Sequence, residues 1–218
     1  MRIAREGWAV VATAGGVLGV VAVVGVAAGH PVAVLPLLAG VGFCLYFFRD
    51  PERAAPPGED HLVSPADGRV LEVVADERDE ILGAPGTRIS IFMSPLDVHV
   101  NRVPVSGVVE TVRHTPGKFG AAFGDKASRD NERTAMVLRS GSRRFVVVQV
   151  AGALARRIIC KCREGDTLRR GERYGLIMFG SRVDVYLPPD VRPSVKHGDR
   201  VVAGVTIVAE VPAEAAGR

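Results

Sequence analysis

The sequence predicts a mainly β fold, a β-rich α+β domain standing behind an N-terminal pair of apolar helices. Three observations lead there. Charged residues make up 24% of the 218-residue chain, yet none falls between Trp8 and Gly29 or between Val32 and Phe48. From Leu62 onward, short apolar and alternating runs are separated by turn residues, and few windows repeat at about 3.6 residues. Lastly, Gly165-Asp166-Thr167-Leu168-Arg169-Arg170-Gly171 is echoed by Gly198-Asp199-Arg200-Val201-Val202-Ala203-Gly204. Each copy reads as a Gly-Asp turn, a short strand and a second glycine turn.

The two uncharged runs, about residues 8–29 and 32–48, are separated by His30-Pro31 and read as a transmembrane helical hairpin within an anchor of residues 1–50. At a rise of about 1.5 Å per residue the first run spans a bilayer core easily. The second is short enough to be upright or re-entrant. Gly15 and Gly19 lie four apart, a spacing that favours close helix packing. A cleaved signal peptide ending near Val26-Ala27-Ala28 is the competing reading, but the first run is long for a signal core and the second follows at once. Arg2 and Arg5 precede the hairpin and Arg49 and Arg53 follow it. Positive flanks on both sides place both ends in the cytoplasm, with the polar domain on the cytoplasmic face of the cell membrane.

Cys44 falls in the second apolar run, and Cys160 and Cys162 form a C-x-C in an alternating stretch. That pattern makes no disulfide framework, and no His or Cys cluster completes a metal site, so no metal is expected. The net charge of +4 suits a surface facing anionic lipid. Few aromatics accompany it, and nucleic-acid binding is not expected.

Residues 51–61 form a Pro-rich linker, and residues 62–218 the β-rich domain. Strands are expected at Arg69–Val74, Arg88–Met93, Gly107–Val112, Ala135–Leu138, Arg144–Val150 and Arg157–Cys162, with a short helix within Phe119–Ser128. The echoed units suggest barrel-sandwich-hybrid-like strand repeats, as in biotinyl and lipoyl carriers. No lysine stands between them to carry such a group. Gly180-Ser181 stands there instead, between an apolar run ending at Phe179 and the alternating Val183, Val185 and Leu187. Glycine frees the peptide's backbone, and a hydroxyl beside a strained peptide can attack it.

Further motifs precede that junction: Phe47-Phe48-Arg49-Asp50-Pro51, Ser64-Pro65-Ala66-Asp67-Gly68, Ser94-Pro95-Leu96-Asp97-Val98-His99-Val100-Asn101-Arg102, Gly117-Lys118-Phe119 and Asn131-Glu132-Arg133. In this order they resemble the phosphatidylserine decarboxylases, in particular their short form, from the anchor to about Pro188. The resemblance implies a proenzyme that cuts itself between Gly180 and Ser181 into chains 1–180 and 181–218, which stay associated. On the same resemblance, Ser181 would become a covalent pyruvoyl group, in the role that pyridoxal phosphate plays elsewhere. Its ketone would form a Schiff base with phosphatidylserine in the membrane and release carbon dioxide and phosphatidylethanolamine.

The family's relay is Asp-His-Ser, and Asp67 and His99 match its first two members. Longer relatives carry a second histidine three residues on, where this chain has Arg102. Either His99 serves both cutting and decarboxylation, or another group supplies the missing base. Arg102, Lys118 and Arg133 are the candidates for meeting the substrate's phosphate and carboxylate. Association with a further copy is left open. Two other functions fit the residues read singly: a membrane-bound serine protease acting in trans, and a tethered binding module without catalysis.

Overall fold

The computed structural model describes residues 2–78, 85–118, 120, 130–152, 157–178 and 181–212. The chain divides into two compact units, Met1–Glu52 and Arg53–Arg218.

In the first unit, α1 (Gly7–Ala27) and α2 (Val34–Phe47) are joined through a 3-10 turn at Pro31–Ala33. The first helix ends where Gly29 turns to φ +84° and Pro31 can no longer donate. With a mean hydropathy of 2.4, α1 is long and apolar enough to cross a membrane, and α2 is a shorter apolar helix. The helices pack against each other, most tightly away from the glycines singled out by spacing. A Cβ on Gly40 would lie 2.7 Å from Leu18 Cδ1 and one on Gly25 would strike Ala33 in the turn. One on Gly15 would be in ordinary contact with Val41 Cγ2 at 3.9 Å, and one on Gly19 would meet nothing within 4 Å. Both ends of the unit meet: the Ala4 N–H donates to the Phe48 carbonyl at 2.9 Å, and the Asp50 N–H to that of Arg2 at 2.8 Å.

The second unit is strand-rich. In chain order its described strands are β1 (His61–Val63), β2 (Gly68–Arg78), β3 (Pro85–Met93), β4 (Val100–Arg102), β5 (Gly107–Thr115), β6 (Arg133–Ser140) and β7 (Arg143–Val150). These are followed by β8 (Ile158–Cys160), β9 (Thr167–Leu168), β10 (Arg173–Ile177), β11 (Ser181–Leu187), β12 (Arg192–Pro193), β13 (Arg200–Val201) and β14 (Ile207–Glu210). The six strands expected from patterning are present as β2, β3, β5, β6, β7 and β8. The expected Phe119–Ser128 helix lies, apart from Gly120, outside the described residues. One eight-stranded sheet runs β13-β2-β3-β11-β7-β6-β5-β9, and two three-stranded sheets run β1-β14-β12 and β4-β10-β8. Ile89, Ile91, Val183, Val185, Phe145, Val147 and Leu138 build the core. Each such burial contributes about 1.5–3 kcal/mol.

The large sheet is curled, and the echoed glycine units show how far. Gly165, Gly171, Gly198 and Gly204 all adopt positive φ. Asp166 accepts from the Arg163 N–H at 2.8 Å, and Asp199 from the Lys196 N–H at 2.9 Å, so the two turns are the same device used twice. One unit feeds β9 and the other β13, the opposite edges of the sheet. Yet a Cβ placed on Gly204 would lie 3.5 Å from Gly171 Cα. The two edges therefore come together at a seam.

Central strand β11 departs from the alternation read in the sequence: all seven of its residues are buried. Val183, Val185 and Leu187 face the core. On the other face, Arg182 Nε lies 2.6 Å from Asp184 Oδ1, and Arg182 Nη2 lies 3.1 Å from Glu72 Oε1 and 2.8 Å from Ser90 Oγ. Arg88 Nη1 completes the cluster at 2.6 Å from Glu72 Oε1. Burying these charges is tolerable only because each meets an opposite one.

Candidate active site

Ser181 opens β11. Its Cα pairs with Met93 of β3, and the next residue pairs with Phe92 on one side and Val150 of β7 on the other. The serine is fully buried, and its hydroxyl donates to Met93 Sδ at 3.4 Å. A thioether is a weak acceptor. The hydroxyl is therefore held in place by a bond that costs little to break. Gly180, the partner expected in the scissile bond, lies outside the described residues, as does Phe179.

His99 is fully buried just before β4. Ahead of it, Ser94-Pro95-Leu96-Asp97 forms a closed turn in which Asp97 Oδ2 accepts from the Ser94 N–H at 2.8 Å. That turn presents the Asp97 carbonyl to His99 Nδ1 at 2.9 Å. A carbonyl only accepts, so Nδ1 carries the proton and the basic lone pair of the neutral ring is on Nε2. The Asp97 carbonyl thus orients the His99 ring from the Nδ1 side.

Asp67 has other partners. Arg53 Nη1 and Nη2 meet Asp67 Oδ1 and Oδ2 at 2.5 and 2.8 Å, and the Ala203 N–H donates to Oδ1 at 2.8 Å. In the sequence, residue 53 falls within the Pro-rich linker. Here it belongs to the second unit and clamps the turn ahead of β2. Gly68 is required in that turn, because a Cβ there would collide with the Phe92 carbonyl.

Arg102 was expected to meet substrate. It is 3% exposed, its Nη1 donates to the Gly171 carbonyl at 2.8 Å, and its Cδ would be 2.7 Å from a Cβ on Gly204. The side chain lies in the seam between the sheet edges and braces it. Lys118 is exposed, and its backbone is tied to Asp130 and Glu132. Arg133 is half-buried at the start of β6, where it pairs with Val150, so it shares the face of Arg182 rather than that of Ser181. Asn131 staples this region, with Nδ2 donating to the Gly120 and Ala151 carbonyls at 2.9 and 2.7 Å.

Three residues near Ser181 escaped the sequence reading. Met93 Sδ also receives Asn101 Nδ2, at 3.7 Å, and Asn101 Oδ1 accepts from Gln149 Nε2 at 2.9 Å. Gln149 could have been noticed as the one polar residue in Val146-Val147-Val148-Gln149-Val150. Met93 gave no signal. Among the described residues, no three His, Cys, Asp or Glu side chains are grouped to hold a metal ion.

Comparison with known proteins places these residues in a wider setting. Residues 41–209 match the family model for phosphatidylserine decarboxylase. The phosphatidylserine decarboxylase proenzyme of Ralstonia pickettii is 48% identical over 214 residues, covering 96% of this chain and 95% of the relative. That of Nitratidesulfovibrio vulgaris is 51% identical, with 80% of each chain covered. The Pelobacter propionicus proenzyme is 53% identical, over 76% of each.

Proposed function

The chain belongs to the phosphatidylserine decarboxylase family, and from that premise we propose that it is a self-cutting proenzyme which removes the carboxyl group of phosphatidylserine. The observation that carries the reading is the placement of Ser181. It is a buried serine at the start of the central strand, directly after the Gly180 peptide, with a weakly held hydroxyl.

The Ser181 hydroxyl attacks the Gly180 carbonyl carbon, and the peptide C–N bond breaks to leave an ester and a free amine on residue 181. The Ser181 Cα proton then leaves, and the ester oxygen departs with Gly180 as a carboxylate. The resulting enamine takes up one water and releases ammonia, so no oxidant is needed. His99 Nε2 is the base for these proton transfers, with its ring oriented by the Asp97 carbonyl. Residue 181 would then hold a ketone, which would supply an electrophile for the headgroup amine and an electron sink for the departing carbon dioxide. His99 would return a proton to the carbon that lost it, and one water would release the amine product. The burial that surrounds Ser181 suits such a group, because water there would compete with the amine. Lys118, being exposed, is offered for the lipid phosphate. Asp67 supports the site through Arg53, and Arg102 through the seam.

The apolar first unit is proposed to anchor the enzyme in the cell membrane, its two helices forming a hairpin. Arg2, Arg5 and Arg49 lie at the end where its termini meet, which favours a catalytic domain on the cytoplasmic face. The paired glycine turns support a barrel-sandwich relationship for the second unit.

Intact mass tests the function. Two chains, broken between 180 and 181, with the small chain blocked at its N-terminus, are expected. A single uncut chain with decarboxylase activity would overturn the proposal.

A further inference from the structure

We propose that Gln149, oriented by Asn101 and Met93, receives the primary amino group of the headgroup beside residue 181; this rests on the function proposed above. Gln149 is 1% exposed, and its Oε1 is buried with no hydrogen-bond partner among the described residues. A buried amide oxygen left bare is costly, by about 1–3 kcal/mol, and rare enough to require a reason.

The orientation of the amide follows from its neighbours. Met93 Sδ can only accept, so Asn101 turns its NH₂ toward sulfur at 3.7 Å and its oxygen toward Gln149. Gln149 must then present its NH₂ to Asn101, at 2.9 Å, which leaves the Gln149 oxygen as the bare group. Met93 therefore fixes both the Ser181 hydroxyl and, through Asn101, the amide of Gln149.

Placement agrees. Gln149 pairs with Val183, which is two residues from Ser181 and on its face of β11. Gly175 makes room for the side chain: a Cβ there would lie 2.8 Å from Gln149 Nε2. A fixed neutral acceptor near residue 181 suits a primary amine, which arrives with N–H donors to satisfy. A hydroxyl in its place offers a single weaker donor. The subsite would thus select amine-bearing headgroups before any covalent step.

The test uses full-length matured protein whose ketone has been reduced with borohydride, so that no imine can form. Calorimetry compares a water-soluble short-chain phosphatidylserine with the same lipid bearing a hydroxyl for the amine. Wild type should prefer the amine about ten- to a hundredfold. Gln149→Met should abolish that preference, and Gln149→Glu, which keeps an acceptor oxygen, should retain most of it. A residue that only packs would show the reverse order, since a buried carboxylate disturbs a core more than a thioether. Preference unchanged in Gln149→Met, or lost equally in both variants, overturns the proposal. Should Gln149→Met fail to fold, Gln149→Asn, which withdraws the acceptor by one methylene, takes its place with the same expected result. Wild type that is uncut, or that gains no hydrogen on borohydride treatment, would instead sink the proposed function and not the subsite.

Discussion

Arg53 and Asp67 form a two-pronged ion pair, 2.5 and 2.8 Å long, with both side chains largely shielded from water. The pair joins the first residue of the second unit to the turn that precedes β2. Two parallel charge-assisted bonds hold geometry better than a single contact. Asp67→Asn and Arg53→Ala should therefore have similar effects on stability, about 1–3 kcal/mol each, and far from additive ones when combined. Denaturant unfolding of the two single variants and the double variant measures the coupling. If Asp67→Asn stopped chain cutting while Arg53→Ala left it untouched, Asp67 would have a task in the chemistry apart from its partner.

Ser181→Ala should remain one chain and show no decarboxylation, since it lacks both the attacking hydroxyl and the precursor of the ketone. Ser181→Cys keeps a nucleophile and should cut slowly. Intact mass over time distinguishes them, and normal cutting of Ser181→Ala would refute the attack.

His99→Ala should slow both maturation and turnover, by about a hundred- to ten-thousandfold for loss of a positioned base. Following proenzyme loss beside decarboxylation of the matured fraction separates the steps. A variant that matured at the normal rate would need a different base for cutting.

Arg102→Ala should act on the fold before it acts on substrate. It removes the donor to the Gly171 carbonyl and the stem beside Gly204, leaving a space in the seam. A loss of about 1–3 kcal/mol is expected, read as a lower denaturation midpoint, with KM for lipid near normal in the folded fraction. A raised KM at unchanged stability would return Arg102 to the substrate.

Acid should weaken the cluster around Glu72. Burial alone would raise its carboxyl, but Arg88 and Arg182 hold it below the ordinary value of 4.5. A folded-state value lower than the unfolded one means that this stabilisation is complete above the ordinary value and is lost as pH falls through the depressed one. Melting temperature followed below pH 5 or so should fall less steeply in Glu72→Gln than in wild type. Parallel curves would show that Glu72 bears no such load.

The sequence by itself determined the features that depend on neighbours along the chain. Uncharged runs marked α1 and α2, alternation and turn residues marked six strands, and the glycine spacing marked the repeated turn. Backbone conformation and burial period are written within a few residues, so these could be read directly. Ser181 and His99 became candidates by another route, the resemblance that the ordered motifs carry to a known family. Tertiary structure decided which side chains meet. Arg53 finds Asp67, Arg102 enters the seam between Gly171 and Gly204, and Gln149 reaches Asn101 from a different sheet. None of these pairings leaves a periodic trace, because each depends on strand order and on the curl that brings two sheet edges together. The charged face of β11 shows the limit most plainly. Alternation marks Arg182 and Asp184 as polar, but only the fold supplies Glu72 and Ser90 from β2 and β3, and with them the mutual pairing that lets Arg182 and Asp184 stay buried.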